Sequence, residues 1–139
     1  MQSARAFKKY QSLDLENRTA EASPEHLVYL LYEKACSSVQ GAIIVLEQEL
    51  NDKEPHWQDE IKRTESFHLQ AGKAIQIVSA LKEIIDFENG EPVASQLDQT
   101  YSAILAALWN ATKQKKIESL RTVLEALQVM RDGWHAIKD

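Results

Sequence analysis

The sequence predicts an all-α protein, an antiparallel up-down four-helix bundle preceded by an N-terminal arm. Apolar residues recur at helical spacing through most of the chain, and no strand-like alternation of useful length occurs. The 139 residues include only four glycines and three prolines, while 44% are hydrophobic. This length is typical of one domain, so we expect an arm over residues 1–22 and a bundle over residues 23–139.

The clearest helix start in the chain lies at Ser23, Pro24 and Glu25. The Ser23 hydroxyl can accept a backbone N–H, Pro24 suits the first helical position, and Glu25 lies at the positive end of the helix dipole. Apolar residues then recur at steps of three and four, which predicts a first helix over 24–50. The charged stretch that follows contains Pro55, and we expect a loop or a frayed turn there.

Three further helices are predicted from the same spacing of apolar residues. The second covers 61–88 and is stopped by Asn89 and Gly90, because glycine readily takes the left-handed conformation beyond a helix end. The third covers 92–113, and a lysine-rich turn separates it from the last helix over 117–137. Short connections join these last three helices, so we expect them to be antiparallel neighbours.

The arm is polar and has few apolar residues, among them Phe7 and Tyr10. It cannot bury enough apolar surface to fold alone. Two alternatives stay open: the arm packs its aromatic residues on the bundle, or it becomes ordered only when a partner binds.

Composition restricts the classes of function. A single cysteine, Cys36, allows no internal disulfide and fits a reducing cytoplasm. No apolar run approaches the roughly 20 residues of a membrane span, and the N-terminus lacks the apolar stretch of a signal peptide. The net charge of −5 argues against a nucleic-acid partner, which usually selects a basic surface. We therefore expect a cytoplasmic protein without membrane insertion or nucleic-acid binding.

Residues that could carry catalysis are scattered rather than clustered. No two of the four histidines, His26, His56, His68 and His135, have the i,i+4 spacing that places two metal ligands on one helix face. There is no glycine-rich phosphate loop and no ordered nucleophile, base and acid. We expect no metal, no cofactor and no enzyme activity.

One alternative is phosphotransfer through His68. Histidine phosphotransfer domains are four-helix bundles with a motif resembling His-x-x-Lys-Gly, and here Gly72 stands at the glycine position. Ala71 occupies the lysine position, and Lys73 has moved past the glycine. The lysine that would neutralise a phosphate on the same face is therefore missing.

Aromatic residues at the helix margins are either edge packing or part of a partner site. A groove of aromatic and aliphatic side chains between helices is what an amphipathic partner helix needs. The predicted partner-binding residues are Phe7 and Tyr10 in the arm, and Tyr29, Tyr32 and Trp109 at the groove edges.

Several short segments, each weak alone, form a specific set because of their order along the chain. They are Ala22–Leu27, Leu31–Ala35, Lys73–Val78, Glu88–Ala94, Leu97 with Tyr101, and Leu127 with Met130, Arg131, Asp132 and Trp134. In this order they resemble the flagellar secretion chaperones of the FliS type over nearly the whole bundle. Gln96 and Thr100 stand where that family has asparagine and leucine, so the chain resembles a divergent member.

The resemblance implies a function without catalysis. Chaperones of this type bind the C-terminal segment of flagellin, which is disordered in the monomer and folds into helices along apolar grooves of the bundle. Binding prevents premature polymerisation and presents the complex to the export gate of the flagellar type III secretion system. The resemblance also implies an arm that occupies part of the site until the client arrives, and it leaves a homodimer open.

A second alternative is an interaction adaptor that has kept the bundle but lost flagellin binding. The segment from Asn51 to Ser66 is longer than is typical of the family, and it contains Trp57. A tryptophan in a charged loop has little internal reason to be there, so this segment would be the adaptor's distinguishing surface.

Overall fold

The structure is a computed structural model. It describes residues 23–138, with side chains described for residues 23–134. The five helices of this part of the chain are α1 (Pro24–Asn51), α2 (Trp57–Glu83), α3 (Phe87–Gly90), α4 (Val93–Gln114) and α5 (Ile117–Lys138). No strand occurs among residues 23–138, and the predicted all-α fold is confirmed. The predicted arm lies outside the described residues.

The four long helices pack antiparallel around one core, with α1 and α4 diagonally opposite each other and α2 and α5 between them. Two of these contacts include ion pairs. Arg63 of α2 pairs with Asp52 at the end of α1 at 2.8 Å, and Arg121 of α5 pairs with Glu47 of α1 at 3.2 Å. The short helix α3 packs on α4. This is the predicted up-down arrangement, with α3 added between the second and third long helices.

Helix α1 begins where the sequence predicts. The Ser23 hydroxyl accepts the backbone N–H of His26 at 3.2 Å, and Pro24 holds the first helical position. The helix contributes more of its residues to the core than any other described helix, because its apolar stripe meets α2 on one side and α5 on the other. Cys36 lies within this stripe as a buried free thiol.

Helix α2 begins at Trp57, so the predicted start at residue 61 is wrong by four residues. The His56 imidazole Nδ1 accepts the N–H of Gln58 at 3.2 Å and caps the helix. Asp59 and Glu60 follow in the first turn, where the helix dipole favours negative charge. The long loop predicted around Pro55 is therefore a connection of only five residues.

The predicted end of the second helix at residue 88 is also wrong, because α2 stops at Glu83. The Asp86 carboxylate accepts the N–H groups of Glu88 at 3.1 Å and Asn89 at 3.3 Å, which starts the separate turn α3. Side chains of this type compete with a continuing helix for backbone donors. The other helix bounds agree with the prediction to within one residue.

Candidate functional site

An open cavity of about 630 Å³ lies at the end of the bundle where α1 begins, and we call it the end cavity. Residues of all five helices and of the connections around α3 line it: Pro24, Glu25, Val28, Leu81, Ile84, Ile85, Asp86, Asn89, Gly90, Glu91, Val93, Ala94, Leu97, Tyr101 and Trp134. The cavity lies where α2 stops and the chain turns into α3, between the ends of α1, α4 and α5.

The walls of the end cavity are apolar and belong to the core. Val28, Leu81, Ile84 and Ala94 are buried, so packing on the far side holds them in place. At the rim, Val93 is 56% exposed. The cavity thus offers apolar surface on a rigid frame, which is the usual character of a site that binds an apolar ligand.

A pair of tyrosines joined through their hydroxyl groups lies at the end cavity. Tyr101 lines the cavity, and its hydroxyl shares a hydrogen bond with the hydroxyl of Tyr32 from α1. Trp134 of α5 lines the same cavity. Burial raises the pKa of both tyrosines above its usual range, so both stay neutral. The Tyr32–Tyr101 bond joins α1 and α4 at the cavity.

Helix α4 carries an apolar residue at every fourth position from the cavity rim towards its other end: Val93, Leu97, Tyr101, Leu105 and Trp109. Each step of four residues advances about 40° around a helix, so the row winds about 160° between its ends. Tyr101 in the middle is buried, whereas the two end residues are exposed. The row therefore presents apolar surface on two sides of α4.

The residues predicted for partner binding do not lie together at one site in the structure. Trp109 is 55% exposed on α4. Tyr29 is half-buried at the margin of α1, where its hydroxyl donates to Glu33 at 3.4 Å and its ring stacks on His26. Phe7 and Tyr10 lie outside the described residues.

The expected groove-edge position of Tyr32 is wrong. Its side chain is 0% exposed, because position 32 lies on the part of α1 that faces α4 across the core. Tyr32 touches the end cavity only through Tyr101. Neither Tyr29 nor Trp109 lines the cavity.

Sequence reasoning missed the residues that do line the cavity. Val93, Leu97, Tyr101 and Trp134 belong to the segments that carry the family resemblance, but none of them was predicted to bind a partner. The available signal was the pair Gly90 and Pro92, which marks a break between helices and hence an incompletely filled end.

Two other predicted features have clear positions. His68 is exposed on α2, but Ala71 is buried one turn later, so this turn offers no lysine to a phosphate. Trp57 is exposed as the first residue of α2 rather than within a loop.

The described residues contain no cluster of three or more side chains suited to a metal ion. None of the described helices is both long and apolar enough to span a membrane.

Comparison with known proteins identifies relatives over almost the full length of the chain. The chain is 27% identical to the flagellar secretion chaperone FliSB of Pseudomonas aeruginosa over 137 residues, which cover 99% of this chain and 98% of that one. It is 26% identical to the flagellar secretion chaperone FliS of Salmonella typhimurium over 138 residues, covering 99% and 93%. For the chaperone FliS of Vibrio cholerae the identity is 24% over 133 residues, covering 95% and 88%.

The family model described as flagellar protein FliS matches residues 6–139. That match includes every described helix and every described residue that lines the end cavity. The chain therefore belongs to the FliS family of flagellar proteins, a family of chaperones rather than enzymes.

Proposed function

We propose that this protein is a cytoplasmic export chaperone whose client is the C-terminal segment of flagellin. The segment folds on binding into an amphipathic helix, and its apolar residues occupy the end cavity. Holding the segment keeps flagellin from polymerising before export and presents it to the export gate. The observation that carries the proposal is the open apolar cavity on a rigid helical frame, in a chain whose relatives are flagellar secretion chaperones.

The size and character of the cavity suit this kind of client. Its volume lies within the range of roughly 300–1,000 Å³ typical of ligand sites in proteins. A helix inserts side chains into such a groove at spacings of three and four residues. Folding of the client costs about 2–5 kcal/mol of the gross interaction energy, so a preformed site is favoured over one that must also become ordered. The buried walls Val28, Leu81 and Ile84 provide that preformed site.

Contacts beyond the cavity extend the proposed interface. Trp109 lies on the opposite side of α4 from Val93, so a client that touches both must be long enough to pass across α4. Tyr29 is a further candidate contact at the margin of α1. Phe7 and Tyr10 of the arm are proposed to meet the same client.

The test uses one substitution in the cavity and a matched substitution elsewhere. Val93→Asp puts a charge on the cavity rim, and Val129→Asp puts the same charge on an exposed position of α5 outside the cavity. The full chain and both variants are titrated with a peptide of the flagellin C-terminal segment, by calorimetry and by far-ultraviolet circular dichroism.

We expect the wild type and Val129→Asp to release heat and to gain helical signal on adding the peptide. We expect Val93→Asp to bind at least about tenfold more weakly, because a carboxylate is desolvated on contact with the client. Absence of any heat or helicity change with the wild type would rule out this client. It would favour the adaptor alternative, in which exposed residues such as Trp57 bind another protein.

A further inference from the structure

Three carboxylates lie on the rim of the end cavity, and none of the described side chains that line it carries a positive charge. Glu25 of α1, Asp86 before α3 and Glu91 before α4 all line it, and all three are exposed. Among the lining residues that the structure describes, none is a lysine or arginine. The apolar cavity is therefore bordered by three carboxylates from three different parts of the chain.

The three carboxylates are not neutralised by the protein's described side chains. Asp86 accepts hydrogen bonds from two backbone N–H groups and from the Asn89 amide, and Glu91 accepts one from the Ser95 hydroxyl at 2.8 Å. None of these donors is a cation. The bonds from Asn89 hold the pKa of Asp86 below its usual range, which keeps it ionised. Lys82, one turn earlier in the chain, is paired with Asp98 at 3.2 Å.

Each carboxylate also has a local role at a helix start, where negative charge is favourable. An uncharged asparagine could accept the same two backbone N–H groups as Asp86, so this capping does not require the charge. The charge instead affects the free energy of binding a client that covers the cavity. An apolar client laid over the rim takes water away from three carboxylates, which is unfavourable unless the client brings cations to them.

We propose that the end cavity selects client segments in which lysine or arginine flanks the apolar residues, and disfavours segments that lack these cations. The inference rests on the proposed function, since it concerns the client of the same cavity. The charge acts by attracting a complementary partner and by penalising the others. The partner chemistry is thus a cationic amphipathic helix rather than a purely apolar one.

The experiment compares two chaperone variants that lose the same three charges. The rim variant carries Glu25→Gln, Asp86→Asn and Glu91→Gln. The control variant carries Glu54→Gln, Asp59→Asn and Glu60→Gln, all exposed positions at the opposite end of the bundle. Two peptides serve as probes: the flagellin C-terminal segment, and the same peptide with each lysine and arginine replaced by glutamine. Dissociation constants are measured at low and high ionic strength.

We expect the wild type and the control variant to bind the glutamine peptide roughly three- to thirtyfold more weakly than the unmodified one, as expected for three partly exposed ion pairs. High salt should reduce this preference. The rim variant should bind the two peptides equally. If the wild type binds both peptides equally well, the inference is wrong while the proposed function stands. If it binds neither, both are wrong.

A third peptide tests whether this chain's own N-terminal segment, rather than the client, binds at the rim. A peptide of this chain's own residues 1–22 carries Arg5, Lys8 and Lys9 around Phe7 and Tyr10. If it binds the wild type more tightly than the flagellin peptide does, and loses that affinity with the rim variant, the rim serves the chain's own segment. That result would overturn its assignment to the client.

Discussion

Helix α1 buries thirteen of its 28 residues, whereas α4, diagonally across the core, buries five of its 22. The difference follows from the sequence, since α1 carries apolar residues around much of its circumference, whereas the buried residues of α4 lie along one narrow stripe. It also shows in the helix starts. Ser23 caps α1 with its side chain, whereas Pro92 at the start of α4 makes no side-chain capping bond.

This contrast divides the molecule by function. α1 supplies the stability of the bundle, because it packs closely against both of its neighbours. α4 supplies the surface that we propose for the client, because its apolar residues at Val93 and Trp109 have no partner that covers them fully. An export chaperone needs both properties, and here they belong to different helices.

The largest expected effect is a difference between substitutions in α1 and in α4, measured as the loss in the free energy of unfolding. Leu31→Ala in α1, at a residue 1% exposed, should lower the free energy of unfolding by about 3 kcal/mol, since a closed cavity remains. Leu105→Ala in α4, at a half-buried residue, should lower it by roughly 1 kcal/mol, since water can occupy the space. Urea unfolding measures both. Equal losses would contradict the division between the helices.

The second effect tests the bond across the core. Tyr101→Phe removes the hydroxyl that pairs with Tyr32 and should lower the free energy of unfolding by about 1–2 kcal/mol. Tyr29→Phe is the matched control, because its hydroxyl lies in a part-buried surface bond, and its effect should be smaller. Thermal unfolding of the two variants gives the comparison. An unchanged stability of Tyr101→Phe would mean that α4 does not depend on α1 at this point.

The third effect concerns the start of α1. Ser23→Ala removes the capping hydroxyl and should lower the free energy of unfolding by about 1 kcal/mol. Ser23→Asp keeps an acceptor at that position and should stay close to the wild type. Denaturant titration distinguishes them. A loss of the same size in both variants would show that the cap is not the source of the effect.

The smallest effect concerns the attachment of α4 to α2. Asp98→Asn breaks the pair with Lys82, in which both side chains are about a third exposed, and should cost roughly 0.5 kcal/mol. The loss should shrink at high salt, because the pair is screened there. Unfolding curves at two ionic strengths measure it. A loss of several kcal/mol would mean that α4 is held by charge rather than by its buried apolar residues.

Local signals account for most of the helix bounds. Ser23 and Pro24 mark the start of α1, and the lysine-rich turn before Ile117 marks the start of α5, so both were predictable. The start of α2 was not, because its first turns are polar and exposed and its cap, His56, is outside the usual capping residues. The predicted end of α2 was wrong because the Asp86 carboxylate competes for backbone donors, which the spacing of apolar residues does not reveal.

The end cavity was beyond sequence reasoning for a different physical reason. Val28 and Trp134 are more than a hundred residues apart in the chain and share a cavity only once the bundle has closed. Periodicity assigns a residue to the inner face of its helix but does not tell whether that face is filled at its level. Tyr32 shows the same limit, since it and Tyr29 differ by three positions and only one is enclosed.

The single cysteine has a practical consequence. Cys36 is buried in α1, and burial raises the pKa of its thiol, so little reactive thiolate is present at neutral pH. A thiol-directed dye should therefore modify the native chain only during moments when the bundle separates. The labelling rate, with and without flagellin peptide, would report how often that happens, with no engineered probe needed.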